Sequence, residues 1–178
     1  DNIAAIAMLE NCHTGARLIV ANAHVHWDPE FRDVKLVQAA MLMEQLEQVC
    51  DRYAKMPLQS KLPEGVRAPK YASGTQVPMI VCGDFNSTPD SGVYEFLSQG
   101  RASPKHEDFM DHIYGSYTSE GLHHNFALRS AYGNLGELPF TNLTPGFRGV
   151  IDYIWYTGNS LAASGLLGDC LLYTSPSP

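Results

Sequence analysis

Val77-Pro78-Met79-Ile80-Val81-Cys82-Gly83-Asp84-Phe85-Asn86-Ser87-Thr88-Pro89 is the stretch on which the fold turns. Met79 to Cys82 is an unbroken apolar run with β-branched members, which predicts a strand buried on both faces. Gly83 and the Ser87-Thr88-Pro89 triplet end regular structure. The strand thus delivers a carboxylate at Asp84 and, two residues on, a carboxamide at Asn86. If the backbone stays extended through Phe85, both side chains point the same way. Polar groups at the end of a rigid strand are placed as a catalytic site requires. The same pair also fits a plain Asx turn with no chemistry attached.

Upstream, Arg17 to Asn22 reads as a second buried strand running into Ala23-His24-Val25-His26-Trp27-Asp28-Pro29. His24 and His26 are spaced for one face of a strand, as metal ligands or as hydrogen-bonded structural groups. Pro29 ends the strand segment, and Trp27 is read as packing. Asp33 is the expected N-cap of a helix reaching about Tyr53. Leu36, Ala39, Met43, Leu46, Cys50 and Tyr53 form its apolar stripe, which predicts a helix packed on a sheet. Prolines 57, 63 and 69 with Gly65 and Gly74 then mark a long loop. Strand, helix, loop and strand together form one crossover unit without a domain boundary.

Downstream, Asp90 or Ser91 caps a short helix from Gly92 to Ser98, which Gly100 stops. Residues 101 to 126 are polar, with four irregularly placed histidines, and read as surface loop. Leu128 to Tyr132 reads as one helical turn. Val150 to Tyr156 is strongly β-prone, yet Asp152 interrupts it. A carboxylate in a buried strand is costly unless it is paired, hydrogen-bonded or bound to metal. Asp152 is therefore a functional candidate, a satisfied structural acid, or an acid on an exposed strand face.

The 178 residues suit one domain, and 44% hydrophobic residues suffice for a core. With 12 Lys and Arg against 19 Asp and Glu, the formal charge is -7. That balance excludes a nonspecific nucleic-acid coat, so any polyanion site is local. The four cysteines are far apart, which excludes a paired-cysteine zinc site. No apolar run is long enough to span a membrane, so no membrane partner is expected.

Three stretches together resemble the endonuclease/exonuclease/phosphatase superfamily, the fold of deoxyribonuclease I. They are Asn22-Ala23-His24, Gly83-Asp84-Phe85-Asn86 and Gly149-Val150-Ile151-Asp152-Tyr153. More closely, Asn22 to Pro29, Asp33-Val34-Lys35-Leu36 and Phe140 to Tyr156 are similar to the carbon catabolite repressor type deadenylases, over about residues 16 to 168. The resemblance implies an α/β fold, a two-sheet α/β/β/α sandwich present only in part. Residues 1–168 would be a partial catalytic domain, and 169–178 a non-native tail. It implies a Mg²⁺-dependent poly(A)-specific 3′-exoribonuclease releasing 5′-AMP, cytoplasmic and in part nuclear.

By the same resemblance, Asp84 would activate water, Asn86 hold a phosphate oxygen, His24 bind the scissile phosphate and Asp152 complete the acidic cluster. Asp84, Asn86 and Asp152 would be the metal-linked residues, and hard oxygen donors suit Mg²⁺. Pro29 and Phe147 would sandwich an adenine, with Asn142 contacting substrate. Phe147 is otherwise a plain surface-loop aromatic. Partners would be poly(A) RNA and, through regions outside this chain, a deadenylase-complex scaffold and a second deadenylase subunit. The family's metal-binding Glu is expected upstream of Asp1 and its closing Ser-Asp-His motif is absent, so this stretch alone is expected to be inactive. Another phosphodiesterase or phosphatase of the superfamily, or a noncatalytic binding module, are the alternatives.

Overall fold

The structure, a computed structural model, describes residues 2–167. The expected tail, 169–178, lies outside the described residues. Strands β1 (Ala4–Glu10) and β2 (Arg17–His24) form a hairpin, and α1 (Arg32–Lys55) leads through a long loop to β3 (Met79–Asp84). Next come α2 (Gly92–Gln99), the short β4 (Arg101–Ala102), α3 (Ser116–Ser119), β5 (Leu122–His123) and β6 (Leu128–Ser130). The ribbon β7 (Asn142–Thr144) and β8 (Phe147–Gly149) comes next, followed by β9 (Asp152–Thr157). One five-stranded sheet, in the order β1-β2-β3-β9-β6, organises the whole. β2 and β3 run parallel, which the crossover through α1 requires.

The core lies on one side of this sheet. Ile19, Ala21, Met79, Val81, Tyr153 and Trp155 point into it and meet Leu36, Met43 and Leu46 of α1 and Val93, Phe96 and Leu97 of α2. The predicted α1 stripe is buried throughout, while Glu44, Glu47 and Asp51 are exposed. Each fully buried side chain such as Phe85 or Leu36 stabilises the fold by about 1.5–3 kcal/mol.

Several sequence expectations need correction. β2 and β3 are not buried on both faces: their burial alternates, and the face carrying Asn22, Cys82 and Ile154 has no covering layer among the described residues. Asp33 is not the N-cap of α1. Phe31 takes that place, and Asp33, inside the first turn, is buried and accepts hydrogen bonds from Tyr114 Oη and His112 Nδ1, both at 2.6 Å. Residues 101 to 126 are not a surface loop. Asp108, Phe109, Leu122, His124 and Phe126 are buried, and the segment is tied to both helices, Asp108 to Arg32 and the Gly92 amide and His124 to the Phe96 carbonyl. Leu128 to Ser130 is an edge strand on β9 rather than a helical turn. The last strand starts at Asp152, so its carboxylate lies at an exposed strand end and not inside a buried strand.

The second helix matched its reading closely: Ser91 Oγ accepts from the Tyr94 amide, and Gly100 stops the helix at φ +74°. Among the described residues no helix is long and apolar enough to cross a membrane.

Candidate functional site

Sheet register sets the site. His24 is the partner of Asp84 across the β2–β3 pair, and Asp84 is the partner of Asp152 across β3–β9. Three polar residues from distant parts of the chain therefore form one row at the strand ends. They line an open recess of about 630 Å³ on the uncovered face, with Asn22, Thr141 and Tyr132. His24 Nε2 lies 3.9 Å from Asp84 Oδ2, too far for a hydrogen bond. Gly83 makes the row possible. It holds φ +138°, and a Cβ there would sit 1.9 Å from the Ala23 carbonyl oxygen.

Beyond Asp84 the backbone turns. Asn86 adopts φ +46°, the left-handed region that asparagine tolerates better than most residues. Its amide N–H donates to Asp84 Oδ1 at 2.8 Å, and its side-chain Nδ2 donates to the Val25 carbonyl at 3.0 Å. The Asx turn is therefore real, and the extended path through Phe85 stops at Asn86. The consequence is a division: Asp84 faces the recess, whereas Asn86 faces a separate cavity on the other side of the turn. Burial pushes the Asp84 carboxyl above its ordinary value, with the nearby Asp152 charge adding to this and the Asn86 amide opposing it.

That second cavity, about 570 Å³, is lined by Pro29, Asn86, Asn142 and Phe147, together with Trp27 and Lys35. Its outer wall is the β7–β8 ribbon, in which Thr144 pairs with Phe147. The ribbon is fixed to the row: Thr141 Oγ1 accepts from the amides of Ile151 at 3.0 Å and Asp152 at 3.1 Å. Its inner wall rests on Asp108, whose carboxylate accepts from Arg32 Nη1 at 2.9 Å and from the Gly92 amide at 2.6 Å. Lys35 reaches the floor, where Nζ donates to the Asn86 carbonyl at 2.9 Å. Burial pulls the Lys35 ammonium below its ordinary value, against the opposing pull of Asp28, Asp108 and Asp84.

All seven sequence candidates thus lie around one turn, in two groups: His24, Asp84 and Asp152 on one side, and Pro29, Asn142, Phe147 and Asn86 on the other. His26 stands apart, its ring edge-on to Phe31. Trp27 is not packing. It is 68% exposed at the cavity mouth. Lys35, Arg32 and Asp108 escaped the sequence reading, since a lysine in a helical first turn and an acid in a polar segment carry no local signal. Asp84 and Asp152 offer hard oxygen donors. Among the described residues, however, no three His, Cys, Asp or Glu side chains converge to hold a metal ion. Asp84 and Asp152 thus offer two donors of a metal site that the described residues do not complete.

The family described as Endonuclease/Exonuclease/phosphatase matches residues 17–173. The chain belongs to that family. Among curated relatives, it is 56% identical to the CCR4-Not complex 3′-5′-exoribonuclease subunit Ccr4 of Mycosarcoma maydis, over 95% of this chain and 25% of that protein. It is 55% identical to the protein of the same name from Schizosaccharomyces pombe, over 94% and 24%. The chain therefore spans about a quarter of the length of these relatives. Among solved structures, the phosphatase ANGEL2 superposes with a TM-score of 0.61 at 22% identity, over 89% of this chain and 49% of that one. At that identity the likeness speaks for the fold alone, and the partial coverage agrees with a sheet covered on one face.

Proposed function

We propose that this chain is part of a Mg²⁺-dependent, poly(A)-specific 3′-exoribonuclease, an mRNA deadenylase that hydrolyses phosphodiester bonds and releases 5′-AMP. The observation that carries this reading is the linkage of the two groups through one turn. A cavity with a proline and an exposed aromatic on its walls adjoins, through Asn86, a strand-end row bearing Asp84. Stacking of bases on aromatic side chains is sequence-tolerant and suits a single-stranded substrate. In this reading Pro29 and Phe147 hold the terminal adenine and Asn142 contacts it. Asn86 and His24 hold the phosphate, and Asp84 takes the proton of the attacking water. Asp84, Asn86 and Asp152 would contribute oxygen donors to a Mg²⁺ ion whose remaining ligands these residues do not supply, and the ion would provide charge neutralisation at the phosphate. Membership of a CCR4-Not type complex is supported by the relatives, which are subunits of that complex. The place of action is the cytoplasm, with a nuclear pool.

The test is made on a full-length protein carrying this chain. With Mg²⁺ it should shorten A-tailed RNA from the 3′ end faster than U- or C-tailed RNA, releasing 5′-AMP. Equal rates on all tails, or activity only on phosphomonoesters or cyclic phosphates, would sink the reading.

A further inference from the structure

Among the described residues Lys35 is a buried cation with no carboxylate at ion-pair distance, and Asp28, Asp108 and Asp84 act on it only from farther away. It is 5% exposed, lies in the first turn of α1 and forms part of the cavity floor. An ammonium has three donors. Among the described residues it makes one hydrogen bond, to the neutral carbonyl of Asn86, and no carboxylate approaches within 4.0 Å. The cavity's carboxylate, Asp108, is already engaged by Arg32 and the Gly92 amide. Burying a cation with no anion at ion-pair distance is costly, and a cost of this kind at a cavity floor points to an anion supplied from outside. The cavity, at about 570 Å³, falls within the range of small-molecule and cofactor sites. A chain of net charge -7 that accepts a polyanion needs a local positive point.

We propose that Lys35 is a further substrate-binding residue, donating from the cavity floor to an anionic phosphate oxygen of the nucleotide held there. The donation to Asn86 fixes the ammonium's position, and the remaining N–H groups are directed to the ligand. This rests on the reading of the cavity as a nucleotide site.

The test uses a full-length protein carrying this chain, in an Asp84→Asn background so that bound RNA is not consumed. Binding of an all-adenosine RNA is followed across a series of salt concentrations. Lys35→Gln keeps a donor for the Asn86 carbonyl and removes the charge. Lys35→Met keeps the stem's length and apolar contacts and serves if the amide unsettles the helix. Losing one phosphate contact should weaken binding roughly ten- to a hundredfold. It should also flatten the slope of log affinity against log salt by about 0.7. Phe147→Ala should weaken binding while leaving that slope as it was. Unchanged slopes in both Lys35 variants would overturn the proposal and leave Lys35 only a support for Asn86. Inorganic phosphate is the second probe, read as a rise in melting temperature. If the unsubstituted protein ignores the RNA but phosphate stabilises it in a Lys35-dependent way, the poly(A) reading falls and this one stands. If phosphate stabilises every variant alike, or none, the proposal on Lys35 falls.

Discussion

The two sides of the Asp84–Asn86 turn are built on opposite principles. On the recess side, His24, Asp84 and Asp152 stand in a row on an uncovered sheet face, with like charges on neighbouring strands and no hydrogen bond between His24 and Asp84. On the cavity side the supporting polar groups are paired: Asp108 with Arg32 and Gly92, Asn86 with Val25, and Thr141 with Ile151 and Asp152. The carboxylate and amides on the cavity side are thus paired, with the Lys35 ammonium bonded only to a neutral carbonyl. Burial and the Asp152 charge on the recess side instead hold the Asp84 carboxyl above its ordinary value, an electrostatic strain. Strain of that sort is expected where charge must be held ready for a reaction rather than for stability.

The most forceful way to break this division is Asp84→Asn in a full-length protein carrying the chain. It keeps the side chain's size and removes the charge. Turnover on A-tailed RNA should fall by roughly two to four orders of magnitude, the range for losing a general base. RNA affinity should stay nearly unchanged, because Asp84 does not line the cavity. A parallel loss of affinity in a binding titration would mean that the two sides are one site.

The segment behind the cavity provides the next largest effect, and it is an effect of pH. His124 is buried against Phe96, its Nε2 donating to the Phe96 carbonyl at 3.1 Å, and burial lowers its pKa from 6.5 to about 4. Above 6.5 neither folded nor unfolded chain protonates it, and its stabilising contribution is fully present. Between 6.5 and about 4 the unfolded chain takes the proton and the folded one does not, so stability falls with pH and levels off below that. The full loss is roughly 3 kcal/mol. Denaturant titrations at successive pH values should show it, and His124→Gln should flatten the dependence. A flat profile in the unsubstituted protein would place His124 in water.

Phe147→Ala sharpens the comparison from the other side. Removing one stacking surface should cost about 1–3 kcal/mol of binding, mainly on A-tailed RNA, with a smaller effect on the chemical step. Kinetics on matched A-, U- and C-tailed substrates separate these outcomes. A uniform slowing on all tails would remove Phe147 from recognition.

Much of this arrangement was legible in the sequence, and the exceptions have physical causes. The existence of the Met79–Asp84 strand, the α1 stripe and the α2 caps were readable because apolar patterning and capping chemistry are local. The expected burial of that strand on both faces depended on a second layer that the described residues do not supply. The Asx turn at Asn86 was one of two readings, and only the neighbouring Val25 carbonyl and Lys35 ammonium decide it. Residues 101–126 misled because a polar composition hides a buried role: Asp108 and His124 find their partners in α1 and α2, far away in sequence. Asp33 misled for the converse reason. It resembles a cap, but its partners Tyr114 and His112 come from that same segment and draw it inward. The row itself could be listed from the sequence but not aligned, since register between distant strands is a tertiary property.

The smallest expected effect tests the strain directly. A carboxyl whose folded pKa is raised, as at Asp84, binds its proton more tightly in the folded chain than in the unfolded one. Its contribution is therefore a penalty, absent below the ordinary value of 3.8, growing as pH rises from there to the raised folded value, and fully present above it. The first cause is burial, opposed by the hydrogen bond that the Asn86 amide donates, which an asparagine at position 84 still accepts through its side-chain oxygen. Asp84→Asn should thus lower turnover as above while raising the melting temperature at neutral pH in metal-free buffer. The gain should shrink on acidification and vanish once both folded and unfolded Asp84 are protonated. Thermal melts across that pH range measure it. A lower melting temperature at neutral pH would show that Asn86, His24 and Lys35 hold the Asp84 charge comfortably, and the recess would then be as settled as the cavity beside it.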